Sequence, residues 1–346
     1  MPKISVLMCV YNDEGWLKNS IDSIVNQTFT DFEFVIVNDG STDNSLEIIN
    51  SYSDDRIRII NNEENLGLPK SLNRGLKVCK SELIARMDAD DISMNNRLEK
   101  QYEYLKKNKE IALIGGHAEY IDSDGSKVDF VHKYPISNDL IKWELFRDVP
   151  FCHPSVMFRH NILKKIGLYN EGFLYAQDFE LWQRMASYKF KFSNLNDKIL
   201  YYRKISEKQT SSKKKKQNKA HIKILTHYFK SKSFKVNNNI TYYYYYGPKK
   251  VLNNKKLIIN GVNLLLHSYK NFISSNVLSK LNKENIQYDA ALKLINFAKV
   301  QKQLLFVTRI HILIKSFKII KKIYIHYQFR KTLRTIIHQQ IKSYLT

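Results

Sequence analysis

Short apolar runs alternate with helical stripes through the first 90 residues, and this alternation constrains the fold more than any other feature. The predicted strands are residues 4–11, 32–37, 57–61 and the run from Leu83 to Asp88, and the predicted helices are residues 16–27, 45–53 and 68–78. Continuous apolar runs are typical of strands buried on both faces of a parallel sheet. The order βαβαβαβ therefore predicts a right-handed, doubly wound α/β domain.

Polar residues follow three of these predicted strands at the point where each strand ends. They are Tyr11-Asn12, Asn38-Asp39 and the acids Asp88, Asp90 and Asp91. Ligands of such sheets bind beyond the carboxyl ends of the strands, so we expect one site at this edge. Asp88 and Asp90 are two residues apart and project the same way from an extended segment. Converging carboxylates are typical of a site for Mg²⁺ or Mn²⁺, although a solvated turn would have the same sequence.

The middle of the chain continues the alternation with weaker patterns. Helices are predicted at residues 97–107 and 140–146, and strands at 113–120, 128–131, 151–158 and 199–203. Asp122 and Asp124 form a second D-x-D pair, but Gly125 follows them between two predicted strands, which indicates a hairpin turn rather than a metal site. A helical stripe begins at Asp178 and places this carboxylate in the first turn of a helix, where backbone N–H groups favour an anion.

Charge divides the chain into two unlike regions. The 346 residues carry a formal net charge of +23. Residues 1–210 contain 28 basic and 31 acidic residues, whereas residues 211–346 contain 28 basic residues and only two acidic ones. We therefore predict one domain at 1–210 and a second, basic region at 211–346.

Cysteine use and hydropathy indicate a reducing, cytoplasmic setting. The three cysteines, Cys9, Cys79 and Cys152, are scattered and suggest neither a disulfide framework nor a zinc site. The first residues show no secretory apolar stretch, and no run reaches the roughly 18 consecutive apolar residues of a membrane span.

Six short motifs occur in a suggestive order. They are Val10-Tyr11-Asn12, residues 38–43, residues 65–68 with Arg74, residues 88–91, His153-Pro154-Ser155 and residues 177–182. Together they resemble glycosyltransferase family 2, the inverting nucleotide-sugar transferases of the GT-A fold, in its bacterial surface-polysaccharide form. The resemblance covers residues 1–210 and implies a Rossmann-like, mostly parallel sheet flanked by helices, followed here by a basic, mainly α-helical C-terminal region.

The resemblance also implies roles on the nucleotide side. The donor-binding residues would be Val10, Tyr11, Asn12, Asp39, Arg74, Asp88 and Ala89. Asp39 would accept the N3–H of a uracil base, although an Asx-turn acceptor has the same residue type and position. Arg74 would bind a phosphate, or would be a surface helix arginine. Asp88 and Asp90 would hold Mg²⁺ or Mn²⁺, which takes up charge as the nucleoside diphosphate leaves.

On the acceptor side, Asp178 matches the family's catalytic base. Inversion needs one carboxylate to remove the proton of the acceptor hydroxyl as its oxygen attacks opposite the diphosphate. A helix N-cap is the alternative role for Asp178. We also place Glu180, Trp182 and His153 on the acceptor side. Glu180 is the second choice for the base, but two residues further along a helix it faces away. Trp182 is expected in the core with its indole edge near the cleft, and His153 is either a cleft residue or an ordinary buried histidine.

One position departs from the family pattern. A Tyr-Arg-x-His sequence commonly follows the late strand, and here Tyr202-Arg203-Lys204 is followed by Ile205. The missing histidine leaves a bound metal with fewer side-chain ligands, so Lys204 or Lys208 would meet the diphosphate instead. Strict dependence on a metal is therefore an open question at the level of the sequence.

The basic region has the pattern of a membrane-surface element. Lys213 to Lys216 precede helical stripes rich in lysine, isoleucine and aromatic residues, including five tyrosines at 242–246 and a stripe at 304–327. Basic amphipathic helices with aromatic residues bind anionic membrane surfaces. An ordinary helical domain with a solvated basic face and an oligomerisation module, giving a homo-oligomer, fit the same pattern. We find no nucleic-acid-binding motif to accompany the charge.

These observations predict a cytoplasmic enzyme that is peripheral on the inner face of the cell membrane. It would move a hexosyl or N-acetylhexosaminyl group from a nucleotide donor, preferably a UDP-sugar, to a hydroxyl of a glycan or lipid-linked glycan of a capsule, lipopolysaccharide or exopolysaccharide. The alternative is a non-catalytic scaffold of a glycan-assembly complex, recruited to the membrane by its basic helices.

Overall fold

The computed structural model describes residues 1–204, 207–246, 255–300, 312–314 and 332. The strands are β1 (Ile4–Val10), β2 (Phe32–Asn38), β3 (Ile57–Asn61), β4 (Leu83–Asp88), β5 (Ile92–Ser93), β6 (Ile111–Ile121), β7 (Lys127–His132), β8 (Met157–Arg159) and β9 (Lys191–Arg203). The helices are α1 (Glu14–Val25), α2 (Ser45–Asn50), α3 (Leu68–Val78), α4 (Arg97–Lys107), α5 (Asn138–Glu144), α6 (Asn161–Ile166), α7 (Gln177–Ser187), α8 (Glu207–Ser231), α9 (Asn238–Tyr246), α10 (Lys255–Ser275) and α11 (Lys280–Val300).

The described strands form one mixed sheet in the order β3-β2-β1-β4-β8-β6-β9-β5, with β7 paired to β6. The first four strands are parallel. Helices α1, α2 and α3 connect them, so the βαβαβαβ prediction is confirmed. Ile4, Val6 and Met8 on one face of β1 and Ser5 and Leu7 on the other are all buried, as expected for the central strand of a sheet covered on both faces.

The register of β1 brings the predicted polar clusters to one edge. Val10 lies opposite Asn38 of β2, and Cys9 lies opposite Asp88 of β4. Because these strands are parallel, the residues that follow them leave the sheet together. Residues far apart in the chain, such as Tyr11 and Ala89, which are 78 positions apart, therefore line the same space.

The second half of the sheet departs from parallel order. Strand β8 runs antiparallel between β4 and β6, and β6 forms a hairpin with β7. At the hairpin turn, the Ser126 N–H donates to carboxylate oxygens of Asp122 at 3.0 Å and Asp124 at 2.8 Å. This confirms the prediction that the second D-x-D pair is a turn.

The predicted strand at residues 151–158 is wrong over its first half. His153–Ser155 form a 3₁₀ turn, and the strand that pairs with β4 is the shorter Met157–Arg159. Pro154 explains the difference, since it has no N–H for a strand ladder and its fixed φ suits a turn.

Contacts divide the chain into two compact units. The first comprises Met1–Leu145 and Val149–His221, and the second comprises Phe146–Asp148 and Ile222–Thr346. Helix α8 continues through both the predicted domain limit at residue 210 and this division.

The second unit has an aromatic core. The ring of Phe229 lies 5.5 Å from that of Phe234 and 5.2 Å from that of Tyr244, and the ring of Phe146 lies 5.6 Å from that of Phe272. None of the helices in the described ranges combines the length and hydropathy that a bilayer crossing requires. The stripe predicted at residues 304–327 lies outside the described residues, apart from 312–314.

Candidate active site

A cavity of about 530 Å³ opens at the carboxyl edge of β1, β2 and β4, and we name it the strand-end cavity. It is lined by five of the predicted nucleotide-side residues and by Asp90; the five are Val10, Tyr11, Asp39, Asp88 and Ala89. Asn12 and Arg74, which were predicted with them, lie outside its wall. The strand ends therefore assemble most of the predicted set in one place.

Asp39 is buried and anchors the segment that precedes α3. Its Oδ1 accepts hydrogen bonds from Asn62 Nδ2 at 2.6 Å, Ser71 Oγ at 2.7 Å and the Leu66 N–H at 2.9 Å. Its Oδ2 accepts one bond, from the Gly67 N–H at 3.0 Å. A carboxylate oxygen has two lone pairs, so Oδ2 keeps capacity for a further donor such as an imide N–H. Asp39 can thus hold the loop and bind a ligand.

Asn12 and Arg74 bind neighbouring protein groups. Asn12 has a positive φ of 55°, and its side-chain oxygen accepts from the Thr42 N–H at 2.8 Å. Arg74 is exposed, and its guanidinium donates to Asn62 Oδ1. Because Asn62 also donates to Asp39, Arg74 reaches the strand-end cavity through a chain of hydrogen bonds.

Three carboxylates and one buried guanidinium meet at the end of β4. Arg86 is 2% exposed and forms an ion pair with Asp88, two residues further along the strand. Burial, followed by the charges of Asp88 and Asp13, raises the pKa of Asp90 to about 7. Burial, followed by the charges of Asp90 and Asp88, raises the pKa of Asp91. Neighbouring carboxylates therefore oppose the ionisation of Asp90 and Asp91, and a cation would relieve the repulsion.

This cluster fits the expected divalent ion. One oxygen of each of Asp88, Asp90 and Asp91 lies within 4.8 Å of the others. Asp91 accepts the Arg203 N–H at 2.8 Å through one oxygen, while its other, buried oxygen has no hydrogen-bond partner. When ionised, the three acids outweigh Arg86 by two charges, and oxygen donors are the ligands that Mg²⁺ and Mn²⁺ prefer.

A second cavity, of about 560 Å³, adjoins the first, and we name it the Asp178 cavity. The two cavities have Leu68, Asp88, Leu174 and Tyr175 in common. Asp178 lines only the second one. Asp88 therefore stands between the space at the strand ends and the space that contains the predicted base.

Asp178 lies in the first turn of α7, as the sequence predicts. The N-cap position is Ala176, which has a left-handed backbone with φ 57°, so Asp178 does not have the alternative role of N-cap. Burial raises the pKa of Asp178, and the Phe179 N–H and Arg86 oppose this rise in part. A carboxylate with a raised pKa is a better base than an ordinary aspartate.

Of the other predicted acceptor-side residues, His153 lines the Asp178 cavity, whereas Trp182 and Glu180 do not. The Nε2 atom of His153 lies 2.9 Å from the Tyr169 hydroxyl. Burial, followed by Arg86, lowers the pKa of His153 well below its usual value, so the ring stays neutral. Trp182 is fully buried and does not line the cavity; its ring packs edge-on against that of His153, with the centroids 6.1 Å apart. Glu180 forms an ion pair with Arg184 at 2.8 Å.

Two arginines of the site were not anticipated from the sequence. Arg86 pairs with Asp88, and Arg203 donates through Nε to the Asp90 carbonyl at 2.7 Å. The signal for Arg86 was readable, because a charged residue inside a buried apolar run must have a partner. Arg203 belongs to the Tyr-Arg-x-His pattern noted above, but its bonds to Asp90 and Asp91 could not be predicted, since they join residues more than 100 positions apart.

Four aromatic residues of the Asp178 cavity were also missed, and we name them the aromatic wall: Tyr120, His132, Tyr134 and Tyr202. They come from β6, from β7 and the residues just after it, and from β9. One signal was present, since Phe130, His132 and Tyr134 alternate and share one face of an extended segment. The pairing with Tyr120 and Tyr202 depends on the register of three strands.

Comparisons with known proteins identify the family of this chain. Residues 5–167 match the family described as glycosyl transferase family 2. An uncharacterised glycosyltransferase of Methanocaldococcus jannaschii is 37% identical over 68% of this chain and 83% of its own. The O-antigen biosynthesis glycosyltransferase WbnJ of Escherichia coli is 35% identical over 58% of this chain and 79% of its own.

Among solved structures, S. aureus TarS 1–349 in complex with UDP is similar in fold. The TM-score is 0.52 at 18% identity, over 99% of this chain and 92% of that chain. Against the longer TarS chain the covered shares are 87% and 55%. At this identity the similarity establishes the fold, a GT-A domain with a helical C-terminal region.

Proposed function

The chain belongs to the family 2 glycosyltransferases, and from that premise we propose that it transfers a sugar, with inversion, from a UDP-sugar to a hydroxyl of a surface glycan. The identity of the donor nucleotide is supported by Asp39 at the strand-end cavity and by the UDP bound to TarS. The acceptor class is supported by the printed role of WbnJ in O-antigen biosynthesis.

One observation carries the proposal, namely that two cavities of similar volume meet at Asp88. An inverting transfer needs the nucleotide on one side of the reacting carbon and the acceptor on the other. The strand-end cavity provides the first space, with Asp39 as a base-binding acceptor. The Asp178 cavity provides the second, with a carboxylate on its wall.

Asp178 removes the proton of the acceptor hydroxyl as the oxygen attacks the anomeric carbon, and the bond to the diphosphate breaks on the opposite face. Its raised pKa makes it more basic than an ordinary aspartate. Glu180 is engaged with Arg184 and does not compete for this role. Neutral His153, held by Tyr169, contributes hydrogen bonds without adding positive charge beside the base.

The carboxylate cluster binds Mg²⁺ or Mn²⁺ through Asp88 and Asp90, with Asp91 as a third candidate ligand. When bound, such an ion supplies positive charge beside the diphosphate leaving group. Arg86 forms an ion pair with Asp88, which lines both cavities. Asp91 fixes the turn after β4 through the Arg203 N–H.

The basic region docks the enzyme on the cytoplasmic face of the membrane, where a lipid-linked glycan acceptor would be found. Residues 211–346 hold 28 basic and two acidic residues, a balance that favours anionic lipid. The expected result is binding of the full chain to vesicles of anionic phospholipid at low salt and release at high salt. Equal binding to neutral vesicles would contradict electrostatic docking.

The test is release of UDP by the purified full-length protein from UDP-glucose, UDP-galactose, UDP-GlcNAc and UDP-GalNAc, with and without Mg²⁺ or Mn²⁺. At least one donor should turn over, and turnover should fall in Asp178→Asn while Glu180→Gln retains it. If no donor releases UDP but vesicle binding persists, the hypothesis of a non-catalytic scaffold replaces that of an enzyme. Full turnover in excess chelator would remove the metal from the proposal.

A further inference from the structure

The aromatic wall occupies one side of the Asp178 cavity and has no role in the chemistry described above. Tyr120 of β6 lies directly opposite Tyr202 of β9 in the strand register, with ring centroids 5.4 Å apart. On the other side of β6, the Tyr120 hydroxyl lies 3.4 Å from His132 Nδ1. The rings of His132 and Tyr134 stack at 4.3 Å with an angle of 10° between their planes.

These rings pack against one another and still face the cavity. All four are intermediate between buried and exposed, and all four line the Asp178 cavity. Burial raises the pKa of Tyr120 and, with neighbouring acidic groups, that of Tyr202, so both phenols stay neutral. The wall therefore offers neutral tyrosine rings bordered by hydroxyl and imidazole groups.

This chemistry matches a neutral pyranose. A sugar ring has an apolar C–H face and a polar rim, and tyrosine and histidine likewise have an apolar body and a polar tip. Among the described residues that line this cavity, two are carboxylates, Asp88 and Asp178, and one is a buried guanidinium, Arg86. This excess of acids disfavours a uronic or sialic acid at the wall and favours an uncharged hexose or N-acetylhexosamine.

The position of the aromatic wall indicates that the bound sugar belongs to the acceptor and not to the nucleotide donor. Nucleotide-side residues Asp39 and Tyr11 line the strand-end cavity, not this one. Asp178, in contrast, lies on the same cavity as the aromatic rings. We propose that the terminal neutral pyranose of the acceptor stacks on Tyr120, His132, Tyr134 and Tyr202 and presents its reacting hydroxyl to Asp178. This inference rests on the proposed transferase function and adds the acceptor subsite and its ligand class.

The test uses saturation-transfer difference NMR with the octyl β-glycosides of glucose, galactose, GlcNAc and GalNAc as probes, in the presence of UDP. At least one probe should receive saturation at the ring protons of one sugar face. Tyr202→Leu and His132→Leu should weaken its binding roughly tenfold, because they remove a ring face. Tyr202→Phe keeps the ring and should retain binding to within about twofold.

Tyr104→Leu is the matched control, since Tyr104 is half-buried like Tyr202 but lines neither cavity. It should bind the probe as the wild type does. Titration calorimetry of UDP should give the same affinity in every variant. Thermal unfolding establishes that each variant is folded, and Tyr202→Phe preserves the test if the leucine variants are not.

The proposal is overturned if no probe binds, if Tyr202→Leu and His132→Leu bind like the wild type, or if UDP affinity falls in parallel with probe binding. It is also overturned if Tyr202→Phe loses as much affinity as Tyr202→Leu, since hydrogen bonding rather than stacking would then hold the sugar. Ring-dependent probe binding without UDP release from any donor would leave the subsite intact and refute the transferase proposal.

Discussion

The strand-end cavity and the Asp178 cavity are similar in volume but arise in different ways. The first takes most of its polar residues from the ends of three parallel strands within the first 90 residues. The second is lined by residues that extend from Leu68 to Gln217 and come from strands, helices and loops. One cavity is a product of a repeated local unit, and the other is a product of long-range packing.

The side chains of the two cavities are held in place by different kinds of contact. On the nucleotide side, Asp39 accepts hydrogen bonds from the Leu66 N–H at 2.9 Å and the Gly67 N–H at 3.0 Å, which tie the loop before α3 to the end of β2. Around Asp178, ring packing across β6, β7 and β9 shapes the wall. Substitutions on the second side can alter the acceptor without disturbing the first, whereas substitutions at the strand ends affect folding and donor binding together.

Replacing the base should give the largest effect on the Asp178 side alone. Asp178→Asn removes proton acceptance and should lower kcat by about 10²- to 10⁴-fold, with UDP affinity unchanged. Because burial raises the pKa of this carboxyl, its ionised form destabilises the fold at neutral pH, so the variant should unfold at a higher temperature. Steady-state kinetics and thermal unfolding measure the two effects.

Glu180→Gln is the control, because it changes a carboxylate on the same helix that pairs with Arg184. Its kcat should stay within about threefold of the wild type, since it does not take the proton in our assignment. A loss as large as that of Asp178→Asn would move the base to Glu180.

The pH dependence of kcat tests the same carboxyl in the unaltered enzyme. A base must be ionised, and burial raises the pKa of Asp178 above its ordinary value. Activity should therefore rise with pH, with the acidic limb above the range of a solvent-exposed aspartate. A rate that is independent of pH across that limb would contradict the role of Asp178.

On the strand-end side, Asp39→Asn should weaken both donor binding and the fold. The asparagine amide would place its NH₂ against one of the Leu66 and Gly67 N–H groups and its oxygen, a poorer acceptor than a carboxylate, against the other. Loss of charge-assisted bonds should reduce the free energy of unfolding by about 2–3 kcal/mol and UDP affinity by roughly tenfold or more. Denaturant unfolding and calorimetry measure these, with exposed Asp129→Asn as the control.

The comparison predicts that acceptor-probe binding survives Asp39→Asn once the protein is folded. Parallel loss of UDP and of the octyl glycoside would show that the two cavities act as one. Unchanged stability would instead mean that the four hydrogen bonds to Asp39 contribute little.

The smallest effect concerns one glycine beside Asp39. Gly40 has φ +68°, and a Cβ there would lie 2.5 Å from the Glu64 backbone carbon. Gly40→Ala should cost about 1–3 kcal/mol of stability through strain and the clash with this backbone. Gly15→Ala is the matched control, since a Cβ at Gly15 meets nothing within 4 Å. Gly15 lies in helix α1, where alanine stabilises by up to about 1 kcal/mol relative to glycine. Equal effects at both positions would contradict tight packing of the loop.

The sequence by itself determined the parallel half of the sheet and the nucleotide side of the site. Apolar runs of strand length alternating with helical stripes admit few arrangements, and in a parallel sheet all strand ends meet at one edge. That rule alone brings Tyr11, Asp39 and Asp88 together. The position of Asp178 in the first turn of a helix also followed from local periodicity.

Only the tertiary structure decided which residues line the cavity of Asp178. Tyr120, His132 and Tyr202 meet because β6 pairs with β7 on one side and with β9 on the other, and register depends on contacts across 80 residues of chain. The same holds for Arg203, whose backbone N–H binds Asp91. Local patterns cannot specify such pairs, because the free energy that selects them comes from burial in the complete fold rather than from the conformational preference of any one segment.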